Sequence, residues 1–197
     1  MRRTLLVGMV AVALLPAPAR AGCGLDDPSG DATVWDDAVL SGSYDQAVPS
    51  PSLDLVSAKA GVDGRFTTFT IRVADLATAA AEAPSGLAFS WDADVPSGVV
   101  SVYAWSAPTS SGVDVWAGRT VYDAKWVART SGPVVDDATD TVTFTVATQT
   151  LGIRRGTPVL STVRSYRLAV VDLPGRTVRQ SAGADTVRGR RAPWGRC

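Results

Sequence analysis

The run Asp26-Asp27-Pro28-Ser29-Gly30-Asp31 gathers three carboxylates around a glycine. Calcium takes six to eight oxygen ligands from carboxylates and backbone carbonyls, and a glycine lets the chain bend around the ion. The run therefore suits a calcium loop through Asp27 and Asp31. It is not an EF-hand, because no glutamate follows at the spacing that motif requires. The plain alternative is a solvated turn in which aspartates bond their own backbone.

A second set of candidates is aromatic: Trp91, Tyr103, Trp105, Trp116, Tyr122 and Trp126. Sugars stack their C–H faces on flat rings, and Trp and Tyr add a polar handle. Tyr103 and Trp105 alternate with Val100, Val102 and Ala104, while Trp116 alternates with Val113 and Val115. If the valine rows face a core, Tyr103, Trp105 and Trp116 line an outer sheet face and form a ligand platform. If the faces are reversed, the rings are core.

Catalysis has less to work with. The chain has no histidine, which excludes Ser-His-Asp and Cys-His schemes and any His-ligated metal. Asp92, Asp94, Asp136, Asp137 and Asp140 could supply an acid and a base for glycoside hydrolysis. All are expected in turns or at strand ends, where aspartate serves local hydrogen bonding, and Glu82 is the single glutamate. Ser57 and Lys59 share a strand face by period-two spacing, but a Ser-Lys scheme also needs a buried lysine. The expectation is a protein that is not an enzyme. No CxxC pair or phosphate-cradling glycine loop is present.

Residues 1–21 are expected to be a signal peptide. Arg2 and Arg3 precede the eleven-residue apolar run Leu5 to Leu15, and Ala19 and Ala21 give a small-x-small cleavage site. The run is shorter than the roughly 20 apolar residues a bilayer span needs, so no transmembrane segment is expected. The paired arginines also fit a twin-arginine signal. Cleavage would leave one domain, residues 22–197, secreted or held in the cell envelope, and would remove Met1 and Met9, the only methionines. Cys23 and Cys197 are the two cysteines, and in an exported chain they pair most simply with each other. The alternative is a lipid on Cys23, although Arg20 stands where lipoprotein signals usually carry leucine.

Charge is unevenly distributed. Residues 22–150 hold 6 basic and 17 acidic residues, whereas residues 151–197 hold 10 basic and 2 acidic ones. Either late strands lie beside early ones and neutralise them, or the arginines form a basic face for an anionic polymer. Arginines interspersed with Ser, Thr and Val favour the first arrangement, and no nucleic-acid partner is expected.

The elements that must position these residues are strands. Phe69, Ile71 and Val73 alternate with Thr68, Thr70 and Arg72; Leu87, Phe89 and Trp91 with Ala88, Ser90 and Asp92; Val142, Phe144 and Val146 with Thr141, Thr143 and Thr145. Period two buries one row and wets the other. Asp63-Gly64, Pro84-Ser85-Gly86, Pro96-Ser97-Gly98 and Pro174-Gly175 punctuate the runs as turns do. The pattern predicts an all-β fold, a single antiparallel β-sandwich of about 8–10 strands. One short helix is expected over Asp75 to Ala83, and a surface tail from Gly183 to Cys197.

The order of segments carries a resemblance. Asp27-Pro28-Ser29-Gly30-Asp31-Ala32 opens the series, followed by Leu53-Asp54-Leu55-Val56-Ser57-Ala58 and Phe66 to Leu76. Gly86 to Trp91, Thr141 to Val146 and Ala184-Asp185-Thr186 follow. This resembles the DOMON-like β-sandwich domains related to family-9 carbohydrate-binding modules. The resemblance implies an immunoglobulin-like or jelly-roll-like sandwich that binds sugar, haem or a structural calcium, and it suggests Asp185 as a distant third calcium ligand. Haem-binding relatives need Met or His ligands, which residues 22–197 lack, so no haem is expected. The expected function is an exported, non-catalytic module for carbohydrate or cell-envelope polymer. The alternative is a structural or protein-interaction domain in which calcium only secures a loop.

Overall fold

The computed structural model describes residues 23–28, 30–35, 47–78, 86–106, 113–121, 123–130, 133–173 and 176–195, with side chains described for most of them. The expected signal peptide, Cys197 and the side chains of Cys23 and Trp116 lie outside these limits. No helix among the described residues is long and apolar enough to cross a membrane.

Among the described residues there are fourteen strands, ten of them of four residues or more. The smaller sheet contains β1 (Cys23–Asp26), β4 (Leu55–Asp63), β5 (Phe66–Val73), β10 (Val134–Asp136) and β11 (Thr141–Ala147), in the order β1-β4-β5-β11-β10. The larger sheet contains β6 (Leu87–Val95), β7 (Gly98–Ser106), β8 (Val113–Val121), β9 (Asp123–Thr130), β12 (Pro158–Leu173) and β13 (Arg176–Arg188), in the order β13-β12-β6-β7-β8-β9. The short β14 (Ala192–Pro193) pairs with the start of β12, and β2 (Thr33–Trp35) pairs with β3 (Ala47–Pro49). Every described pairing is antiparallel. The expected all-β sandwich is what the chain forms.

The period-two runs explain the layering. Ile71, Val73, Phe89, Val102, Phe144 and Val146 point inward and are buried, while their polar neighbours Thr70, Arg72, Thr143 and Thr145 are not. Phe69 joins the two sheets. Its ring lies 5.3 Å from Phe144 on its own sheet and 5.2 Å from Trp91 on the other. Trp91 brings a polar edge into this core, and its Nε1–H donates to Ser161 Oγ at 3.2 Å on the neighbouring β12. At the Asp63-Gly64 signal, Asp63 pairs with Phe66 across a two-residue turn, and Gly64 takes the positive φ that such hairpins need.

Three sequence expectations need correction. Of the helix expected over Asp75–Ala83, the described part forms a 3-10 turn, Leu76–Thr78, and Ala79–Ala83 lie outside the described residues. The turn is held where Asp140 Oδ1 accepts the Leu76 N–H at 2.9 Å. Asp92 lies within its strand and not at its end, because β6 runs on to Val95 and turns only at Pro96-Ser97, whereas Asp94 is at the strand end as expected. The surface tail is also more ordered than composition suggests. β13 continues to Arg188, β14 adds to β12, and Trp194 is 1% exposed, its ring 6.3 Å from Phe69. An arginine- and glycine-rich composition hid one residue whose apolar area decides where the segment lies.

Large-to-small changes of buried aromatics cost about 3–5 kcal/mol. Trp194→Ala is expected to lose that amount in urea unfolding, with an unchanged m-value. A loss under 1 kcal/mol would mean that the C-terminal turn does not complete the core.

Candidate metal centre and the outer sheet face

The aspartates singled out from sequence converge. One carboxylate oxygen each from Asp27, Asp31 and Asp185 lies within 4.8 Å of the others. Asp27 and Asp31 come from the segment after β1, and Asp185 from β13, so the cluster ties the start of the smaller sheet to the edge of the larger one.

Three local features build it. The Asp27 N–H donates to Val56 O at 3.0 Å. Val56 is the extra residue of a bulge, since Leu55 pairs with Val73 and Ser57 with Arg72. A bulge re-aims backbone groups that a regular ladder would occupy. Next, Asp54 is buried and collects the following turn, accepting the Gly30 N–H at 2.6 Å and the Ala32 N–H at 3.4 Å. Gly30 has φ +98°, a conformation only glycine takes readily. Finally, Asp185 sits beside a second bulge, where Ser165 pairs with Asp185 but Tyr166 with Gly183. Its Oδ2 accepts the Leu55 N–H at 2.7 Å and its Oδ1 accepts the Thr186 N–H at 2.6 Å.

The electrostatics suit a cation. Burial pushes the Asp27 carboxyl up to about 6, and the Asp185, Asp31 and Asp54 carboxylates add to the shift. Burial also raises Asp185, against the lowering effect of its two backbone donors. Asp27 Oδ2 is buried and accepts no hydrogen bond. An orphaned buried carboxylate oxygen among three hard-oxygen donors is what a calcium ion satisfies, and backbone carbonyls and water would complete its shell. Asp54 was quoted in the sequence only as part of a motif. Its role in holding the loop follows from burial, which no local pattern around Asp54 announces.

The second candidate set lies on the outer face of the larger sheet. Val100, Val102 and Ala104 are buried in the core, so Tyr103 and Trp105 face outward, both half-buried. Strand register lays out two adjacent rows. Thr186, Arg164, Ser90 and Tyr103 form one, and the backbone of Trp116 pairs next to Tyr103. Arg188, Thr162, Asp92 and Ser101 form the other. These rows border an open basin of about 500 Å³. Arg164 Nη1 donates to Asp92 Oδ2, and Ser90 Oγ lies 3.3 Å from Tyr166 Oη. Burial pushes the Tyr103 phenol above its ordinary range, only partly offset by its bond with Ser101.

The same face settles the charge arrangement. Arg164 on β12 meets Asp92 on β6, and Arg191, just before β14, lies 3.5 Å from Asp94, so late arginines pair with early aspartates. Among the other carboxylates, Asp136 is exposed and caps its own turn through Ala138 and Thr139, Asp137 is exposed, and Lys59 is exposed. Comparison of the chain with family models, curated proteins and solved structures finds no match.

The raised folded-state value of Asp27 has a definite sign. Without calcium, the contribution of this group to stability is fully present below the ordinary 3.8 and is lost as pH rises through about 6. Calcium takes the deprotonated form. At a calcium concentration ~10–100-fold above Kd the linkage gives about 1.4–2.7 kcal/mol, or several degrees of Tm. The calcium-induced rise in Tm is therefore expected to be small at pH 4.5, large at pH 7.5, and absent in Asp27→Asn at both. A calcium response equal at the two pH values would exclude this cluster as the site.

Proposed function

We propose that this chain is an exported, non-catalytic binding domain for carbohydrate, free or within a cell-envelope polymer, and that calcium secures its fold at Asp27, Asp31 and Asp185. The observation that carries the reading is the outer face of the larger sheet. The half-buried ring of Tyr103 borders a basin walled by hydroxyls and charged side chains, and Trp105, also half-buried, lies two residues further along the same face of β7. An aromatic plane beside convergent donors and acceptors matches the two chemical faces of a sugar ring.

A disulfide between Cys23 and Cys197 belongs to the same proposal. Cys23 pairs in register with Ala60 on β4. A Cβ at Gly195 would lie 3.5 Å from the Val62 Cβ, two residues further along that strand. The chain end thus returns to the strand beside Cys23, which supports an end-to-end bridge. The reading without a glycan is favoured by one feature, the orphaned Asp27 oxygen, which explains a calcium ion without any further ligand.

Two measurements separate these statements. Titration of the purified protein with a glycan panel that includes peptidoglycan fragments, calcium present, is expected to give a saturable change in tryptophan fluorescence. Trp105→Ala is expected to weaken it at least tenfold, about 1.4 kcal/mol. A flat response across the panel would leave only the structural reading. For the bridge, closing so long a loop is worth ~5 kcal/mol in the chain-entropy model, so reductant is expected to lower Tm by 10 °C or more. An unchanged melt would reject the pairing.

A further inference from the structure

Resting on the carbohydrate reading, we infer that the basin selects neutral polyhydroxylated sugar units over anionic ones, and that the Asp92–Arg164 pair sets this selectivity. The argument begins with Asp92. It is 9% exposed, lies in the wall of the basin and gives one oxygen, Oδ2, to Arg164. Its other oxygen, Oδ1, is buried and accepts no hydrogen bond. A carboxylate oxygen in that position costs free energy until a donor arrives. The carboxylate torsion of aspartate is broad and nearly two-fold, so a half-turn exchanges the two oxygens between the Arg164 side and the buried side. A sugar hydroxyl can donate to the oxygen that faces Arg164 and the basin, whereas an ionised carboxylate or phosphate group supplies no donor there.

Arg164 completes the pair. Its side chain is 39% exposed at the basin, and its guanidinium carries five N–H donors in a fixed fork, of which Asp92 engages Nη1. The remaining donors are oriented by the buried carboxylate before a ligand arrives. A hydroxyl that donates to Asp92 and a neighbouring hydroxyl that accepts from Arg164 is the pattern a vicinal diol presents.

The ion pairs oppose the anionic alternative. Arg164 is engaged by Asp92 and Asp94 by Arg191, while Arg188 also lines the basin. An anion entering there meets the Asp92 and Asp94 carboxylates and has to compete with Asp92 for Arg164. Ser101, Thr162 and Tyr103 add hydroxyls, which can donate or accept as a neutral ligand requires.

The test uses calorimetric titration of the purified protein with neutral disaccharides (cellobiose, maltose, chitobiose) and two anionic probes, a galacturonate oligomer and poly(glycerol phosphate). Wild type is expected to bind at least one neutral disaccharide at least tenfold more tightly than either anion. Asp92→Asn keeps the shape, removes the acceptor charge and frees Arg164. It is expected to lose tenfold or more on the neutral sugar and to gain affinity for the galacturonate oligomer. Tyr103→Phe leaves the ion pair intact, guards against a folding defect at Asp92, and is expected to cost about fivefold on the neutral sugar alone. Tighter binding of an anion by wild type, or unchanged selectivity in Asp92→Asn, overturns the inference while leaving the carbohydrate reading in place. Absence of binding to every probe and to the wider glycan panel overturns both.

Discussion

The hydrogen bond from the Leu55 N–H to the Asp185 carboxylate governs the arrangement around it. It joins β4 of the smaller sheet to β13 of the larger, and it is made at 2.7 Å in a part-buried position. Both ends depend on irregular backbone, since the bulge at Val56 redirects β4 and the bulge opposite Ser165 redirects β13. Close by, Ser165 Oγ donates to Leu53 O across the same seam. Buried backbone groups must find partners, and at a sandwich edge the neighbouring sheet is where they find them. The consequence is an acidic corner whose position is fixed by the packing of the two sheets and not by a flexible loop.

Two uses of carboxylates emerge from one fold. At the corner, Asp27, Asp31 and Asp185 meet with no basic side chain among them, and burial raises the first and third above the ordinary carboxylate range. On the outer face, Asp92 and Asp94 each meet an arginine. The antiparallel pairing of β12 with β6 brings Arg164 to Asp92, and Arg191, between β13 and β14, reaches Asp94. β13 carries Asp185 on one face and Thr186 and Arg188 on the other side of the same ladder, so a single strand serves both. Alternation of side chains is sufficient to keep an acidic corner and an ion-paired basin apart.

Much of this was legible from the sequence, for a physical reason. Strand alternation is a local code, so Phe69-Thr70-Ile71 and Val142-Thr143-Phe144 announce both their secondary structure and their inner face. Asp27 and Asp31 were visible because a metal loop needs ligands close in sequence. Asp185 was reached only through a family resemblance, because nothing local links residue 185 to residue 27. Asp54 and Asp92 were harder still. Each is buried, and burial of a carboxylate depends on which strand lies alongside. Trp194 was hidden by its setting, where Arg188, Gly189, Arg190, Arg191, Ala192, Gly195 and Arg196 flank one ring that the core takes in. Trp91, counted among the aromatic candidates, is core because it shares the parity of Leu87 and Phe89.

The position of Trp194 bears on the order in which the chain can fold. Its ring lies beside Phe69, so the core contains a contact spanning most of the described chain, and β14 must reach back to β12 to place it. Such long-range closure makes folding slow and cooperative, since the entropic cost of joining distant segments is paid before the contact returns it. During synthesis the aromatic cluster stays incomplete until residue 194 has emerged. A partly made chain therefore lacks one of the largest buried side chains of the core. The last strands of the chain thus supply a large buried side chain against which the earlier aromatic cluster packs.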